Sequence, residues 1–373
     1  MEGQTKIDRR SFLKKASVGA AVGALATVSY PGKSTHAQTK FRWKLVHSFG
    51  PTSPVIVEIQ QLMADNMRTM SNGQMDIKLF AGGELVPAFG VFDAVSGGAV
   101  EMFFSASYYW AGKVPATQFT CSVPFGMTAQ QVNSWFYGGG GMDLWNEFYE
   151  PHNLKTFPVG STGTQMGGWF RKEIKSVADL DGLKMRIPGL GGKVYASKGT
   201  KVILLPGAEI FPALERGVID ATEWVGPLYD WNLGLHQAAK FYYSPGWHEP
   251  STNNELSISL KAWNKLPKEI QQMFEAESFK MNLWQLANFD ARNGEFKKKM
   301  EDFGVQFRVF PDDVLIAMFI AAERINDEVA DADKTGQARK VYDSYKKFRD
   351  QVRAWHKVNE YAYVDALKIV GAV

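Results

Sequence analysis

The chain has 373 residues, 45% of them hydrophobic, and a formal net charge of +3. The positive excess lies in residues 1–37, which hold six Lys or Arg residues against two acidic ones. The remainder is therefore close to −1, which argues against nucleic acid or an anionic membrane as its partner. Cys121 is the only cysteine, so the chain can form neither an intrachain disulfide nor a cysteine metal site. A fold without disulfides depends on a large core, which we expect to be divided between two lobes.

Residues 1–37 predict an export signal. The segment DRRSFLKK, from Asp8 to Lys15, resembles the twin-arginine consensus, with Asp8 where Ser or Thr is usual. The mildly apolar run that follows, from Ala16 to Tyr30, is too short to span a membrane. Thr35-His36-Ala37 then resembles a cleavage site before Gln38. We therefore expect export to the periplasm by the twin-arginine pathway.

The first elements after the signal predict a βαβ unit. FRWKLVHSF, from Phe41, alternates like a strand, and the helix that follows has apolar residues at helical spacing, including Ile59, Met63 and Met67. MDIKLF is the second strand, so the sheet begins parallel. The aromatic segment SYYWAGKVPA follows a third strand at its carboxyl end, where open α/β sheets bind ligands.

The middle and the end of the chain combine glycine-rich turns with helices. Residues 157–170, FPVGSTGTQMGGWF, predict a pair of strands, and 241–250, FYYSPGWHEP, predict a loop. The Gly138–Gly141 run predicts a tight turn, since no Lys-Ser or Lys-Thr follows to make a phosphate loop. A helix is expected from Lys268, and residues 311–370 are predicted to be almost wholly helical.

The segment from Gly182 to Trp224 contains the most informative pattern. In GLKMRIPG the apolar residues alternate with Lys184 and Arg186, as in a half-buried strand. A buried guanidinium needs an anion, and its two-donor fork matches the carboxylate of a small organic acid. Glu223-Trp224 follow a second short strand, VIDATEW. Arg186 can therefore bind a ligand or form a structural salt bridge with Glu223 or Asp220.

Motifs for enzyme chemistry are weak throughout. Gly189–Lys193 resembles a dinucleotide fingerprint without its third glycine, and Gly160–Gly163 is one residue short of a nucleophile elbow. The histidines show no metal spacing with one another, and His248-Glu249 is an adjacent pair. We expect no enzymatic activity, with a nucleotide-using enzyme at the 189–193 turn as the rival class.

Four segments carry a resemblance to a known family. They are AGGELVPAFGVFDAVSGGAVEMFF, GLKMRIPG, AEIFPALERGVIDATEWVGP and AWNKLPKEIQQMF. Together they resemble the periplasmic substrate-binding subunits (DctP-like) of tripartite ATP-independent periplasmic (TRAP) transporters, from about residue 41 to 365. The resemblance implies an α/β fold of two lobes with crossing segments between them, a ligand in the cleft, and a long C-terminal helical region.

TGTQMGGWF, ATEWVGP and PGWHEP are most similar to the branch that binds 2-oxo acids or small hydroxy acids with a metal cation. The resemblance implies that the cation ligands are Gln165, Glu223, the main-chain carbonyl of Trp224, and Glu249. These oxygen donors suit Na⁺ or Ca²⁺ better than zinc, although ordinary surface polarity remains the alternative for Gln165 and Glu249.

The same resemblance implies the ligand contacts. Arg186 binds the ligand carboxylate, Tyr109 closes the other end of the ligand, and Gln165 and Trp224 contact both ligand and cation. His248 departs from the branch, which often has an aromatic residue before the glutamate. The resemblance therefore does not define the detailed shape of the pocket.

We therefore expect a receptor that captures a pyruvate- or lactate-like monocarboxylate and delivers it to the small and large membrane subunits of the transporter. A receptor for another organic acid is the nearer alternative. We expect lobe 1 to comprise residues 38–158 and 251–300, lobe 2 residues 159–250, and the C-terminal helical region residues 301–373.

The last long helix carries an apolar seam at steps of three and four residues, typical of a packed helix. It comprises Val341, Tyr345, Phe348, Val352, Trp355 and Ala362. The seam can dock on its own lobe, or part of it can pack on a second protomer and form a homodimer.

Overall fold

Two β-sheets organise residues 41–372, which are the residues that the computed structural model describes. The predicted export signal lies outside this range. The strands are β1 (Phe41–His47), β2 (Met75–Phe80), β3 (Met102–Ala106), β4 (Leu154–Ser161), β5 (Gly168–Phe170), β6 (Lys184–Arg186), β7 (Lys201–Ile203), β8 (Ala221–Thr222), β9 (Phe241–Ser244), β10 (Asn253–Ser259) and β11 (Gln306–Val309).

Helices cover and connect the two sheets. The α-helices are α1 (Ile56–Met70), α2 (Val91–Ser96), α3 (Thr117–Cys121), α4 (Ala129–Gly138), α5 (Gly141–Tyr149), α6 (Gly189–Ala196), α7 (Gly207–Glu215), α8 (Pro227–Asn232), α9 (Leu235–Ala238), α10 (Leu260–Trp263), α11 (Lys268–Phe303), α12 (Asp312–Ala332), α13 (Gln337–His356) and α14 (Glu360–Ile369). Short 3₁₀ turns lie at Ser107–Trp110, Glu150–His152 and Val177–Leu180. No helix within residues 41–372 combines the length and the apolar composition that a membrane span requires.

The first sheet has the strand order β2-β1-β3-β10-β4. β1 pairs in parallel with β2 and β3, which confirms the predicted βαβ start. β10 returns antiparallel between β3 and β4. The apolar residues of α1 that were expected to face the core, Ile59, Met63 and Met67, are all buried.

The second sheet has the strand order β11-β9-β5-β8-β6-β7. Three of its features differ from the sequence predictions. β4 and β5 do not pair with each other, because the chain passes from the first sheet to the second between them. Residues 241–244, predicted as loop, form β9, and β11 adds a strand to the region predicted as helical. Each difference depends on long-range pairing, which local composition does not encode.

Two crossing segments, residues 162–167 and 245–252, run side by side between the sheets. The amide of Thr162 donates to the carbonyl of Thr252 at 3.1 Å, and the amide of Gln165 donates to the carbonyl of Glu249 at 3.1 Å. The long helix α11 contacts both β4 of the first sheet and α8, which follows the second sheet's β8. This agrees with the expected two-lobe architecture; the lobe boundaries themselves stay a prediction.

The C-terminal helices pack on both parts of the molecule. α12 packs on α6, while α13 packs on α3, α4 and α5. Val341, Tyr345 and Val352 of the apolar seam are buried in the core of this region, with Phe348 half-buried beside them. Trp355, in contrast, is 61% exposed, and Ala362 is exposed on α14. Most of the seam therefore docks on its own chain.

Candidate functional site

A small cavity lies where the crossing segments meet both sheets. Its walls combine aromatic and aliphatic side chains with a few buried polar groups, as ligand sites usually do. The lining residues are Phe49, Ile56, Ala106, Tyr108, Tyr109, Thr162, Gln165, Arg186, Trp224, Val225, Tyr229, Thr252 and Asn254. Four of the predicted site residues, Tyr109, Gln165, Arg186 and Trp224, are among them.

Arg186 is the last residue of β6 and only 1% exposed. Its Nη1 donates to the carboxylate of Glu223, and its Nε donates to the carbonyl of Leu205 at 3.1 Å. The guanidinium also lies 5.0 Å from the ring centre of Trp224. Among the described residues, Nη2 has no hydrogen-bond partner. The structure thus pairs Arg186 with Glu223 and leaves part of the fork free for an anion.

The alternative partner, Asp220, has a different role. Its carboxylate accepts the backbone amide of Lys184 at 3.1 Å at an exposed position. It therefore does not compete for the guanidinium.

Glu223 and Glu249 bring two buried carboxyl groups to one place. Glu223 follows β8, and Glu249 lies on the second crossing segment, where Thr252 donates to its side chain. Burial raises the pKa of Glu223 to about 7, even though Arg186 opposes the rise. Burial and the neighbouring Glu223 raise the pKa of Glu249 to about 7. A bound cation would favour the ionised form of both groups.

Gln165 offers a further oxygen. Its side chain is buried, and its amide nitrogen donates to the hydroxyls of Thr162 at 3.2 Å and Thr252 at 3.0 Å. The amide oxygen has no partner within the described part of the chain. Since buried polar atoms are normally satisfied, this oxygen and the carboxylates have the character of cation ligands.

His248 joins these groups, which the sequence did not predict. One ligand atom each from Glu223, His248 and Glu249 lie within 4.8 Å of one another. Desolvation lowers the pKa of His248 to about 4, so the ring is neutral. Metal spacing along the sequence could not reveal this cluster, because the chain between residues 223 and 248 makes two helices and a strand before it returns.

Tyr108 and Tyr109 reach the cavity from the 3₁₀ turn after β3, as expected for an aromatic segment at a strand's carboxyl end. Burial raises the pKa of Tyr109 to about 12, while the nearby Arg186 opposes the rise. Tyr108 contacts Gly189, where φ is +58° and an added Cβ would lie 3.3 Å from the ring. The glycine therefore permits this close contact between the two parts of the molecule.

The glycines at the start of α6 have a packing role. A Cβ at Gly191 would lie 2.9 Å from the Cβ of His248, and one at Gly192 would lie 2.9 Å from the carbonyl of Ile187. The run therefore brings α6 close to β6 and to the second crossing segment. This explains the glycines of the Gly189–Lys193 turn without a nucleotide.

Comparison with known proteins identifies the family. Residues 45–333 match the model of the DctP family, bacterial extracellular solute-binding protein family 7. The chain is 43% identical to the monocarboxylate 2-oxoacid-binding periplasmic protein of Nostoc sp. (strain PCC 7120), over 95% of this chain and 97% of that protein.

Two solved structures are also similar. A TRAP periplasmic solute-binding protein from Pseudoalteromonas atlantica, with bound sodium and pyruvate, is 40% identical at a TM-score of 0.84, covering 87% of this chain and 99% of that one. A TRAP solute-binding protein from Bordetella bronchiseptica is 36% identical at a TM-score of 0.87, covering 90% and 99%. It is a mixed-occupancy dimer, with calcium and picolinate in one active site and an apo site.

These matches cover most of the chain, the two sheets and the crossing segments. The family consists of solute receptors rather than enzymes, so the nucleotide-using alternative is wrong. The chain therefore belongs to the DctP family of bacterial extracellular solute-binding proteins, the periplasmic solute receptors of TRAP transporters.

Proposed function

We propose that this receptor binds a small 2-oxo or 2-hydroxy monocarboxylate, such as pyruvate or lactate, together with Na⁺ or Ca²⁺. It then delivers the acid to the small and large membrane subunits of its transporter. The observation that carries the proposal is a buried guanidinium and an amide oxygen that line one cavity, with two buried carboxyl groups beside them. The sodium, calcium, pyruvate and picolinate found in the similar structures support it.

Arg186 binds the ligand carboxylate in this proposal. Its free Nη2 is a buried donor, and a planar carboxylate can accept two parallel hydrogen bonds from a guanidinium. Trp224 supplies an apolar face beside it, and Tyr109 also lines the cavity. A small acid fits these walls better than a large one, since aromatic rings occupy much of the space.

The cation is held by Gln165, Glu223, the main-chain carbonyl of Trp224, and Glu249. When bound, it neutralises the two carboxylates and attracts the oxygens of the anionic ligand. Oxygen donors of this kind suit hard cations. Without a cation, a monocarboxylate would enter a site that already holds two acids and one arginine.

The ion pair between Arg186 and Glu223 links binding of the cation to binding of the acid. Nη1 of Arg186 donates to the carboxylate of Glu223. If Glu223 held a cation instead, this Nη1 would be available to the ligand carboxylate. Cation and acid therefore bind with positive cooperativity, because each removes a competing partner of the other.

Calorimetry tests this function directly. Protein dialysed against a chelator in a Na⁺-free buffer should bind pyruvate and lactate weakly, and either Ca²⁺ or Na⁺ should raise the affinity at least roughly tenfold. Equal affinity with and without cations would refute the cation site. Failure to bind either acid, with binding of a different organic acid, would favour the alternative receptor.

The export route is part of the proposal. Arg9 and Arg10 lead the protein through the twin-arginine pathway, and replacement of both by Lys should retain the precursor in the cytoplasm. Normal export of this double variant, assayed by cell fractionation, would exclude the pathway.

The receptor also forms a homodimer through the end of the chain. α14 exposes apolar side chains, including Tyr363 (64%) and Ile369 (86%), and Trp355 is exposed just before it. A second copy covers these residues in a two-fold contact. The dimeric structure of the Bordetella bronchiseptica protein supports this assembly.

A further inference from the structure

We infer that His248 is a nitrogen ligand in the cation site, and that the receptor therefore binds divalent transition-metal ions such as Ni²⁺ and Co²⁺ more tightly than Ca²⁺. This inference rests on the proposed cation site and adds to it a residue and a class of metal.

Three side chains place their ligand atoms at separations that suit a single ion. His248 Nε2 lies 3.7 Å from Glu223 Oε2, and the set of Glu223, His248 and Glu249 offers ligand atoms within 4.8 Å of one another. A single ion with bonds of about 2.1–2.4 Å holds its ligand atoms about 3.0–4.8 Å apart. The three side chains can therefore share one ion without a rearrangement of the backbone.

The His248 side chain has no other role within residues 41–372. It is 1% exposed, and neither ring nitrogen has a hydrogen-bond partner there. A fully buried imidazole normally satisfies at least one nitrogen. The charged groups that face it are Glu223, Glu249 and Arg186. Of these, the two carboxylates can share a metal ion with the neutral ring.

The position of His248 is fixed by packing. Gly191 at the start of α6 lies against the Cβ of His248, and the neighbouring Trp247 stacks on Phe125 with ring centres 5.3 Å apart. The ring therefore stays beside the two carboxylates, and little entropy is lost when it binds a metal.

The chemistry of the ligand atoms also determines which metal ions are preferred. Na⁺ and Ca²⁺ prefer oxygen ligands and gain little from an imidazole, whereas imidazole suits Co²⁺, Ni²⁺ and Zn²⁺. Two carboxylates, an amide oxygen and one imidazole form a mixed set that favours the later first-row ions. His248 thus sets the metal preference.

The test compares metals on one untagged, metal-free protein that lacks the export signal. Calorimetry with Ca²⁺ and with Ni²⁺ should give a Ni²⁺ affinity at least roughly tenfold higher than that for Ca²⁺. His248→Gln, which keeps a polar side chain of similar length, should lower the ratio of the two affinities by about tenfold or more. His236→Gln is the matched control, because His236 is a buried histidine that stacks on Trp231 instead of facing the cluster.

A spectroscopic measurement on the wild-type protein tests the role of His248 without a substitution. Pulsed electron paramagnetic resonance of bound Mn²⁺ should show coupling to one imidazole nitrogen, and ¹⁵N-histidine labelling should change that coupling. A Mn²⁺ signal without nitrogen coupling, or an unchanged affinity ratio in His248→Gln, would overturn the inference. If Ca²⁺ still promotes pyruvate binding in that case, the proposed function stands. If wild-type protein binds no divalent ion, the inference is wrong, and if Na⁺ also fails to promote pyruvate binding, the proposed function is wrong as well.

Discussion

Arg186 has a buried carboxylate partner, Glu223, and this partner determines the effect of a substitution. Burial raises the pKa of Glu223 to about 7. If the guanidinium is lost, Glu223 can take up a proton, which limits the cost of an unpaired buried charge. The ligand carboxylate must remain ionised to be recognised. The substitution therefore reduces the free energy of ligand binding more than the free energy of unfolding.

We predict that Arg186→Ala weakens binding of pyruvate by roughly 2–5 kcal/mol, since one partner of a desolvated charge pair is removed. Arg186→Lys should also bind poorly, because an ammonium cannot reproduce the two-donor fork. Lys184→Ala is the control, since Lys184 lies on the same strand with an exposed side chain. Calorimetry in the presence of Ca²⁺ measures the effect, and wild-type affinity in folded Arg186→Ala would contradict the assigned role.

Glu255 gives a pH prediction separate from the site. Burial raises its pKa to about 8 from an ordinary 4.5, although Ser257, Tyr149 and Thr156 donate hydrogen bonds to it. The folded protein therefore keeps this proton between pH 4.5 and 8, where the unfolded chain has released it. Stability must then fall as pH rises through this window.

Glu255→Gln should reduce this fall. Between pH 5 and 8.5, we expect the free energy of unfolding of the variant to decrease less than that of the wild type, by on the order of 1–4 kcal/mol. Urea denaturation of the cation-free proteins at both pH values provides the measurement. Glu275→Gln, at an exposed position, should behave as the wild type does. Equal decreases in Glu255→Gln and wild type would show that Glu255 is ionised in the fold.

At the scale of elements, α13 shows how one apolar pattern can include residues with different roles. Tyr345 is buried, and its hydroxyl accepts the backbone amide of Met127 at 2.7 Å. Its ring packs edge-on against Trp135 of α4. Trp355, three turns further along, is mostly exposed. The apolar periodicity continues to Trp355, but the part of the chain on which α13 packs does not extend that far.

Substitutions along α13 should reflect this difference. Tyr345→Ala should lower the free energy of unfolding by about 3–5 kcal/mol, because it leaves a cavity and an unpaired amide. Trp355→Ala should change it by no more than about 1 kcal/mol at protein concentrations below dimerisation. Chemical denaturation monitored by circular dichroism compares the two. A similar loss in both would mean that Trp355 is covered within its own chain.

At the scale of the whole molecule, the two sheets are connected by two crossing segments and by α11, and the site lies at that junction. Gln165 and Glu249 belong to the crossing segments, whereas Arg186 ends β6 of the second sheet and Glu223 follows β8. Tyr109 lies in the 3₁₀ turn after β3 of the first sheet. An acid and a cation that together contact all of them would therefore stabilise one arrangement of the two parts, as a transport receptor requires.

The dimer is tested at the same scale. Tyr363→Asp together with Val364→Asp places charges on the exposed apolar side of α14 and should convert the dimer to a monomer without loss of fold. The matched control is Glu360→Asp, which leaves the apolar residues of the same helix in place. Light scattering over a wide concentration range provides the molar mass. A wild-type mass of one protomer at high micromolar concentration, or a dimer that survives the double substitution, would exclude α14 as the interface.

Local sequence determined several parts of this protein. The alternation in GLKMRIPG placed Arg186 on a strand, and the helical spacing of Ile59, Met63 and Met67 identified the buried side of α1. The segments of the family resemblance indicated the fold. The predictions of single elements succeed because period and turn residues act over a few neighbouring residues. The ligand roles of Gln165, Glu223 and Glu249, which the resemblance implies, stay predictions.

Tertiary structure alone decided which strands pair and which buried groups meet at the site. β4 and β5 lie close in sequence but join different sheets, and β11 pairs with β9 about sixty residues away along the chain. His248 meets Glu223 only because β9 and the second crossing segment return the chain to the end of β8. The same convergence buries Glu223 and Glu249 together and raises the pKa of both. Pairing and desolvation depend on which distant groups meet, so no local pattern could determine them.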